Sequence, residues 1–395
     1  MSPDGSTRTM NVPTKFAVFA PLFPPATLGG GPIRTLKALV DSVPTDTQTL
    51  VFTSDRDMGQ SNPLPVRSNE WLAIDGVQVY YGTASSLRSY LRGLGEVRKE
   101  RPEVTYYNSF FNPRFSLFPQ LLGRIGFWRG AQILLAPRGE FGRGALAIRP
   151  LKKRIAVAVY KMLGLHRGIA WHASSVNEAE DIRAVFGETT RVLVREDETS
   201  LPIVAEKPPA ARVDGPLRIV FVSRLNPMKG LDLLLRSLTL TQATITLDVF
   251  GNSEDLKYVQ DCQELIDELP VNVRCTLHGS IAPESVRGIF AEGDVFVFPT
   301  AGENFGHVIA EALSVSCPVM CSDVTPWSDV LRQAGCEVLG SRDPQEWSIA
   351  IESFAALSPH EVRERRRAAG AAFDCWSQVD KGEHVFALLA RSAFV

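Results

Sequence analysis

Two glutamates, Glu303 and Glu311, flank the start of a predicted helix that follows a predicted buried strand. The four apolar residues 295–298 predict a strand that is buried on both faces, and helical spacing of apolar residues begins at His307. The loop between them would present unpaired helix-start N–H groups at the carboxyl edge of a sheet, where anionic ligands bind. Carboxylates there would repel a phosphate unless they accepted hydrogen bonds from hydroxyl groups. Sugars and riboses supply hydroxyl groups, so the pattern indicates a ligand of that chemistry.

The elements that must position these residues alternate between strands and helices along the whole chain. The first half predicts strands at residues 15–20, 49–55, 76–83, 104–109, 133–139 and 168–175, with helices at 32–39, 85–99, 150–163 and 176–186. The second half predicts strands at 217–223, 246–252, 273–280, 295–298 and 318–323, with helices at 231–238, 254–268 and 283–291 and from His307 onwards. Such alternation predicts parallel sheets that are covered by helices on both faces.

Length and the restart of this pattern predict two domains. A chain of 395 residues is too long for one ordinary core. We predict an N-terminal Rossmann-like domain over residues 1–197, a Pro- and Ala-rich linker over 198–215 and a C-terminal Rossmann-like domain over 216–375. Residues 376–395 predict an amphipathic helix that finishes the second domain or packs back on the first. The predicted fold class is α/β, with two parallel sheets facing one another across a cleft.

Composition argues against several classes of protein. Hydrophobic residues make up 45% of the chain and charged residues 22%, and the formal net charge of -2 gives no general attraction to nucleic acid. Between Arg138 and Arg167, however, eight basic residues stand against one acidic residue, which indicates an anionic partner for that stretch. No apolar run is long enough for a membrane span and the first residues lack the apolar core of a signal peptide, so a cytoplasmic location is expected. The six cysteines show no metal-binding spacing and are expected to be reduced, buried thiols.

The segment ENFGHVIAEAL, followed by CPVMCSDVTPW, resembles the retaining glycosyltransferase family 4. The resemblance covers the second half of the chain well. It covers the first half more loosely, through a glycine loop and the run APRGEFGRGAL…WHASSVNEAEDI, which is similar to transferases of bacterial polysaccharide assembly. It implies the GT-B fold, an N-terminal acceptor domain, a C-terminal donor domain and a UDP- or GDP-sugar as substrate, with no cofactor.

By this resemblance, Glu303 accepts hydrogen bonds from hydroxyl groups of the donor sugar, and Glu311 accepts them from the ribose. The alternatives are a solvated loop acid and an exposed helical acid. Main-chain N–H groups around a tight turn at Gly306 are expected to bind sugar and phosphate oxygens. The donor-binding residues of this motif are therefore Asn304, Phe305, Gly306, His307 and Val308. His307 is expected to shape the loop rather than to contact the ligand.

Two cations, Arg224 and Lys229, lie in the loop after the first strand of the second domain, where the family neutralises the diphosphate with such a pair. A diphosphate leaving group gains negative charge as the glycosidic bond breaks, so fixed cations stabilise the transition state more than the ground state. Nucleobase contacts are expected from the main chain of the loops at residues 251–253 and 278–281, with Gly251 and Ser280 as the assigned residues.

The first domain contributes a glycine loop. Its three consecutive glycines, Gly29, Gly30 and Gly31, are expected to let the backbone come close to the same diphosphate. Position 34 is Arg, so a dinucleotide-binding fingerprint is not supported.

The first domain departs from the family at the end of the strand over residues 133–139. Many members have a histidine or an aspartate near the reacting sugar there, whereas this chain has Arg138 and Glu140. Arg138 is expected to stabilise the departing phosphate or to hold an anionic acceptor, and Glu140 to orient the acceptor hydroxyl. The alternative is a salt-bridged loop. His172 is a further candidate, although such a histidine is more often structural. In the second domain Ser316 replaces a common glycine and is expected to alter only the turn.

The expected mechanism is a front-side displacement, in which the leaving phosphate helps to deprotonate the acceptor rather than a carboxylate acting as nucleophile. The nearest match to a metal-binding D-x-D, Asp55-Arg56-Asp57, is not in a metal-binding context, so no metal is expected. The expected function is retaining transfer of a sugar to a hydroxyl group of a lipid-linked glycan, at the inner face of the membrane.

Two alternatives remain open: a sugar-nucleotide epimerase or hydrolase of the same fold, and a non-catalytic nucleotide-sugar binding protein. The base, the sugar, the acceptor and the oligomeric state cannot be read from the sequence.

Overall fold

The computed structural model describes residues 15–43, 47–83, 85–147, 149–209 and 215–391. These residues form two compact α/β units. The first unit consists of the described residues up to Glu198 together with those from Lys381 onwards, and the second unit is Thr199–Asp380. Residues 1–14 of the predicted first domain and residues 210–214 of the predicted linker lie outside the described part of the chain.

An eight-stranded sheet forms the centre of the first unit. Its strands are β1 (Lys15–Phe19), β2 (Gln48–Ser54), β3 (Trp71–Ile74), β4 (Val77–Gly82), β5 (Val104–Asn108), β6 (Gln132–Ala136), β7 (Ala170–Ala173) and β8 (Val192–Val194). They lie in the order β3-β4-β2-β1-β5-β6-β7-β8, and every neighbouring pair is parallel except β3 with β4. The predicted parallel sheet is therefore confirmed, with one short antiparallel strand added at its edge.

In the described part of the first unit, the α-helices that connect these strands are α1 (Gly31–Asp41), α2 (Leu87–Lys99), α3 (Phe118–Arg124), α4 (Arg143–Ala147), α5 (Pro150–Met162) and α6 (Val176–Phe186). One face of the sheet carries an aromatic core that includes Phe19, Tyr107 and Trp171, and α2, α3, α5 and α6 pack on it. The opposite face carries a second core, on which α1 packs. Helices therefore cover both faces, as the alternation predicted.

The second unit contains a six-stranded sheet in which all neighbouring pairs are parallel. Its strands are β9 (Leu217–Val222), β10 (Ile245–Phe250), β11 (Val273–Gly279), β12 (Val295–Phe298), β13 (Val319–Ser322) and β14 (Glu337–Leu339). They lie in the order β11-β10-β9-β12-β13-β14. The central strands are almost continuously apolar because the core reaches them from both faces. The helices are α7 (Leu231–Leu238), α8 (Leu256–Asp267), α9 (Val286–Glu292), α10 (His307–Leu313), α11 (Ser328–Gln333), α12 (Pro344–Ala355) and α13 (Pro359–Ser377).

The predicted linker and the helix near the C-terminal end of the described residues are relevant to the predicted domain boundaries. The described part of the predicted linker packs against the second unit, where Ala205 N donates to Asp374 Oδ1 at 2.6 Å and Glu206 N donates to Ser314 O at 2.8 Å. The last helix, α14 (Val385–Arg391), belongs to the first unit. Its Phe386 ring stacks on Phe16 of β1, with ring centroids 4.0 Å apart.

All six cysteines are free thiols. Cys262, Cys317 and Cys321 are buried, and Cys275 and Cys336 are half-buried. The expectation of burial is wrong for Cys375, which is exposed because it lies on an outward-facing position of α13.

Candidate functional site

The strand order of the second sheet reverses between β9 and β12, which are hydrogen-bonded neighbours without being consecutive in the chain. Ligands of open α/β sheets bind at such a reversal, outside the carboxyl ends of the strands. Lys229 lies in the loop that follows β9, and Glu303 lies in the loop that follows β12. Tertiary structure thus brings two of the sequence-predicted residues to the place where this fold binds ligands.

Lys229 and Glu303 form an ion pair, with Lys229 Nζ 2.7 Å from Glu303 Oε2. The two side chains are 14% and 17% exposed, so water screens them less than it screens a surface pair. The Lys229 ammonium also lies 5.4 Å from the ring centroid of Phe298, the last residue of β12. A phosphate oxygen would bind the lysine and a sugar hydroxyl would bind the glutamate, so one ligand with both groups could replace the pair.

The loop after β9 is held by its own side chains. The carbonyl oxygen of the Asn226 side chain accepts from Met228 N at 3.1 Å and caps a single 3-10 turn, Pro227–Lys229. Gly230 follows with φ of +76°, in the left-handed region. A Cβ atom on Gly230 would lie 2.1 Å from Pro299 O, so only glycine lets this loop approach the one after β12 so closely.

Hydrogen bonds join the two loops directly. Ala301 N donates to Met228 O at 2.8 Å, and Thr300 Oγ1 lies 3.0 Å from the same oxygen. Thr300 Oγ1 also accepts from Gly302 N at 3.2 Å, which shapes the turn before Glu303. The distance between Lys229 and Glu303 is therefore set by backbone contacts and does not depend on their own ion pair alone.

Arg224, the second predicted cation, pairs with a residue that the sequence analysis did not identify. Its Nη1 donates to Glu254 Oε1 at 2.9 Å, and Asn226 Nδ2 donates to Glu254 Oε2 at 2.5 Å. Glu254 directly follows the predicted nucleobase loop at residues 251–253, so its position in the chain was a signal that could have been used. Through these two bonds it connects the loop after β10 to the loop after β9.

The start of α10 is built around Gly306, which has φ of +84°. A Cβ atom there would lie 3.1 Å from Trp327 Cδ1 and 3.2 Å from Glu303 Cγ. Trp327 Nε1 donates to Phe305 O at 2.6 Å, and the Phe305 ring is buried in the core. Burial therefore keeps the Phe305 side chain away from a ligand, and its carbonyl oxygen is engaged by Trp327. The His307 ring packs 4.5 Å from the Phe305 ring, in agreement with a role in loop shape.

Glu311 lies on α10 with only 7% of the residue exposed. The alternative of an exposed helical acid is therefore wrong, because the helix buries this position. Ser316, a few residues later, adopts a left-handed φ of +58°, a conformation that usually requires glycine. Its hydroxyl group donates to Glu206 O at 2.6 Å, which holds the serine in this turn.

The two predicted nucleobase loops are neighbours at the edge of the second sheet. Gly251 has φ of +149°, and its N–H donates to Gly279 O at 2.8 Å. A Cβ atom on Gly251 would lie 1.7 Å from Ser223 O, so this loop also packs on the end of β9. Ser280 is exposed. The loops after β9, β10 and β11 thus form one connected edge.

In the first unit the strand order reverses between β1 and β5. The loop after β1 contains the predicted glycines Gly29, Gly30 and Gly31 and leads into α1. A Cβ atom on Gly29 would lie 2.6 Å from Leu22 Cδ1, and Gly30 has φ of +64°. A side chain at the first position would have to displace the ends of the Leu22 and Ile33 side chains, and backbone conformation favours glycine at the second position.

Arg138 is engaged by the fold of the first unit, with only 7% of its side chain exposed. Its guanidinium donates to Asn108 Oδ1 at 2.7 Å and to Tyr106 Oη at 2.7 Å, and forms an ion pair with buried Asp197. These contacts match the salt-bridged alternative, because the guanidinium is buried and paired with a carboxylate.

Glu140 is likewise held by protein donors. Its carboxylate accepts from Ser109 Oγ at 2.8 Å, Phe110 N at 2.5 Å and Phe111 N at 3.0 Å. Burial raises the pKa of Glu140, while these three donors act in the opposite direction. The observed contacts show that Glu140 fixes the loop after β5.

His172 is a buried member of the same polar network. Its Nδ1 lies 3.0 Å from Tyr106 Oη, and its Nε2 lies 3.0 Å from Arg195 O. Because Arg138 donates to Tyr106 Oη, the tyrosine hydroxyl is free to donate to His172 Nδ1, and the Nε2–H of a neutral ring then donates to Arg195 O. Burial, reinforced by the charge of Arg138, holds the pKa of His172 well below its usual value.

This depressed pKa predicts that stability is lost in acid. The unfolded histidine takes up a proton as the pH falls through about 6.5, whereas the folded one does not, so unfolding becomes more favourable. Over the same pH range the raised pKa of Asp197, about 6 because of burial, acts in the opposite direction, so the effect of His172 is measured by comparison with a variant. Between about pH 7.5 and pH 5.5, urea unfolding should show a less favourable change in stability in the wild type than in His172→Gln. Equal changes in the two proteins would contradict the assignment.

The nearest D-x-D match has two carboxylates with different partners. Asp55 Oδ2 accepts from Thr83 Oγ1 at 2.7 Å, whereas Asp57 Oδ2 accepts from Thr27 N at 2.8 Å. Within the described ranges, no group of three or more His, Cys, Asp and Glu side chains is arranged to hold a metal ion.

Solved structures define the class of fold. HepE from Anabaena, crystallised with UDP and glucose, superposes with a TM-score of 0.69 at 15% identity, over 96% of this chain and 99% of that protein. Sucrose-phosphate synthase from Thermosynechococcus elongatus superposes with a TM-score of 0.65 at 16% identity, over 96% and 98% of the two chains. The fold is GT-B, with two Rossmann-like α/β domains.

Sequence comparison adds a family match for the second unit. Residues 205–372 match the family model described as Glycosyl transferases group 1. A D-inositol 3-phosphate glycosyltransferase of Xylanimonas cellulosilytica is 27% identical over 216 residues, which is 50% of this chain and 51% of the relative. The GPI3 subunit of a Saccharomyces cerevisiae phosphatidylinositol N-acetylglucosaminyltransferase is 30% identical over 121 residues, 29% of this chain and 25% of that subunit. The chain thus spans about half or less of the length of these relatives.

Proposed function

We propose that this protein is a retaining, metal-independent glycosyltransferase that transfers a sugar from a UDP- or GDP-sugar to a hydroxyl group of an acceptor. The observation that carries the proposal is the Lys229–Glu303 ion pair, at 2.7 Å, where the strand order of the second sheet reverses. An ammonium and a carboxylate in contact suit a ligand that carries phosphate beside sugar hydroxyls. The match of this unit to the group 1 glycosyl transferases supports the same proposal.

Each group at this site has a role in the proposed reaction. Lys229 and Arg224 stabilise charge on the departing diphosphate, and Glu303 accepts hydrogen bonds from the donor sugar. Glu311 accepts from the ribose, and the main chain of residues 304–308 binds sugar and phosphate oxygens. Gly29, Gly30 and Gly31 contribute backbone contacts to the phosphates, and the loops at Gly251 and Ser280 contact the base. The leaving phosphate helps to deprotonate the acceptor, so the acceptor hydroxyl attacks from the face of the sugar that the phosphate leaves. Configuration at the anomeric carbon is therefore retained.

A ligand screen followed by product analysis tests the proposal. Thermal unfolding with UDP-, GDP- and ADP-sugars should identify a donor, because a ligand at a hundred times its dissociation constant adds about 2.7 kcal/mol of stability. NMR of the product should then show a glycoside with the anomeric configuration of the donor, in the presence of a chelator. Donor turnover without an acceptor would instead indicate an epimerase or a hydrolase, and binding without turnover a nucleotide-sugar binding protein.

The acceptor half of the proposal is a lipid-linked glycan at an anionic membrane surface, the inner face of the membrane in a cell. Its support is helix α5, whose outward side is apolar rather than polar. Leu151, Ile155, Val159 and Met162 lie at helical spacing, and Leu151 and Met162 are 69% and 78% exposed. Lys152, Arg154 and Lys161 are exposed beside them. Apolar residues flanked by basic ones are typical of a helix that lies in a membrane interface.

The neighbouring helices extend this surface. Helices α2, α3 and α5 pack on the same face of the first sheet, so their outer sides point the same way. Leu87 and Leu91 of α2 and Leu121 of α3 are exposed on this side, as is Ile125, which follows α3. Two of the eight basic residues between Arg138 and Arg167 are not fully exposed on this surface. Arg138 is buried in its network, and half-buried Lys153 donates from Nζ to Ala145 O at 2.6 Å. In the described part of the chain, no helix combines the length and the apolar character needed to cross a membrane.

Co-sedimentation with vesicles tests this surface. The protein should bind vesicles that contain phosphatidylglycerol more strongly than vesicles of phosphatidylcholine alone, and salt should weaken the binding, since each basic residue near an anionic surface contributes about 1 kcal/mol. Lys152→Glu/Arg154→Glu should remove the salt-sensitive part, and Leu151→Glu/Ile155→Glu should weaken binding at every salt concentration. The matched control is Leu256→Glu, which changes an equally exposed leucine of the second unit. Binding that is insensitive to salt in the wild type would exclude the anionic surface.

A further inference from the structure

The Asp55-Arg56-Asp57 segment, left without a role by the proposed reaction, contacts the glycine loop of the first unit. The segment follows β2 and turns back on itself, because Arg56 pairs with Pro63 in an isolated antiparallel bridge and Leu64 N donates to Asp55 O at 2.7 Å. Asp57 Oδ1 accepts from Met58 N at 2.7 Å, which orients the carboxylate from within its own loop. This hydrogen bond within the loop restricts the Asp57 side chain independently of its contacts with other segments.

From this position, the Asp57 carboxylate reaches the loop after β1. Its Oδ2 accepts from Thr27 N at 2.8 Å, and Leu28 N lies 3.2 Å from each of the two carboxylate oxygens. Thr27 Oγ1 lies 3.5 Å from Oδ2. Hydrogen bonds from N–H groups to an ionised carboxylate are about twice as strong as those between neutral groups. Asp57 therefore fixes the two residues immediately before Gly29.

The glycine segment depends on such an external anchor because glycines carry no side chains that could hold it. Its internal bonds are short-range, from Gly30 N to Thr27 O at 3.3 Å and from Ile33 N to Gly30 O at 3.2 Å. Glycine also loses more conformational freedom than any other residue when it is ordered. Without Asp57, residues 27–30 would be held by these short-range bonds alone, and any further ordering at ligand binding would lower the affinity.

We infer that Asp57 is a positioning residue for the donor phosphates, which acts by holding the Gly29–Gly31 backbone in its binding conformation. The inference rests on the proposed function, in which this backbone contacts the phosphates. Asp57 does not itself contact the donor: its carboxylate is occupied by backbone N–H groups and would repel a phosphate. The D-x-D pattern here thus has a role in loop geometry, with Asp55 held by the hydroxyl groups of Ser68 and Thr83 and Asp57 by the loop after β1.

Amide hydrogen exchange and steady-state kinetics of Asp57→Ala and Asp57→Asn, in the full chain, test the inference. Exchange in peptides that cover residues 21–34 should become faster in Asp57→Ala, and less so in Asp57→Asn, which keeps one acceptor oxygen. KM for the sugar donor should rise at least fivefold in Asp57→Ala, while KM for the acceptor stays within twofold. A merely structural loss would lower the amount of active protein, and therefore kcat, without this difference between the two KM values. Asp75→Asn, at an exposed aspartate paired with Lys37, is the control and should change neither reading.

The outcomes separate the inference from the function on which it rests. Unchanged exchange in Asp57→Ala, or faster exchange with an unchanged KM for the donor, would overturn the positioning role while wild-type transfer stands. Absence of sugar transfer by the wild-type protein would overturn both, and it would be seen before any variant is made.

Discussion

Lys229→Ala and Glu303→Ala should each lower kcat/KM for the sugar donor at least tenfold, which corresponds to about 1.4 kcal/mol or more of transition-state stabilisation. Lys229 is the less exposed of the two cations assigned to the diphosphate, so its charge acts on the leaving group with less screening. Removal of Glu303 takes away the acceptor for the sugar hydroxyls. Each variant also leaves the other member of the pair without its ionic partner in a largely shielded place.

The pair should behave as a unit in kinetics. Because the two side chains are in contact, the loss in the double variant should be smaller than the sum of the two single losses. Lys37→Ala is a suitable control, since Lys37 forms an ion pair of the same length, 2.7 Å, with Asp41, and neither residue has an assigned role. Steady-state kinetics of the wild type, the two single variants and the double variant measure this coupling. Near-wild-type rates in both single variants would mean that the site has been assigned to the wrong place.

Gly230→Ala should be strongly destabilising, with a loss of about 3 kcal/mol or more in the free energy of unfolding. Two effects add. The backbone has φ of +76°, which an alanine adopts only with strain, and its Cβ atom would lie 2.1 Å from Pro299 O. The obstacle is a backbone atom at the end of β12, so it cannot be relieved by rotation of a side chain. The two loops must move apart, and the variant that does fold should also lose donor transfer because Lys229 and Glu303 separate.

The control for this prediction is Gly288→Ala. Gly288 lies within α9 and is exposed, and a Cβ atom added there would meet no other atom within 4 Å, so alanine should stabilise the helix by about 0.5–1 kcal/mol. Urea unfolding of both variants measures the difference. A Gly230→Ala protein as stable as the wild type would show that the two loops are not in the observed contact.

Most of the fold could be predicted from local patterns. Continuous apolar runs identified β1, β9 and β12, and helical spacing with nearby glycines located α1, α7 and α10 to within a few residues. The short strands β3, β8 and β14 were missed, since three or four residues carry too little periodicity. Helix α13, the longest helix in the described ranges, was also missed, although Ser358 and Glu361 form a capping box that is visible in the sequence.

The candidate site, like the fold, could be predicted only in part. The family resemblance selected Lys229 and Glu303, and their assigned roles remain predictions. The structure brings the two side chains into contact because both lie in loops directly after strands, and parallel strands bring such loops to one edge. The partners of the other charged residues were not predictable in this way. Glu254 lies 30 positions from Arg224 and Asp57 lies 30 positions from Thr27, and such pairings depend on how the loops fold back.

The sequence by itself determined that the chain alternates strands and helices in two α/β halves, and that Lys229 and Glu303 lie in loops directly after two strands of the second half. These features follow from side-chain periodicity and turn chemistry, which act over a few residues. Tertiary structure decided which charged residues are engaged by protein partners. Arg138 is buried against Asp197, 59 positions away in the chain. Helix α14 packs on the first unit, where Phe386 stacks on Phe16. Such pairings depend on burial and on distances between segments that are remote in the chain, and no local pattern encodes either.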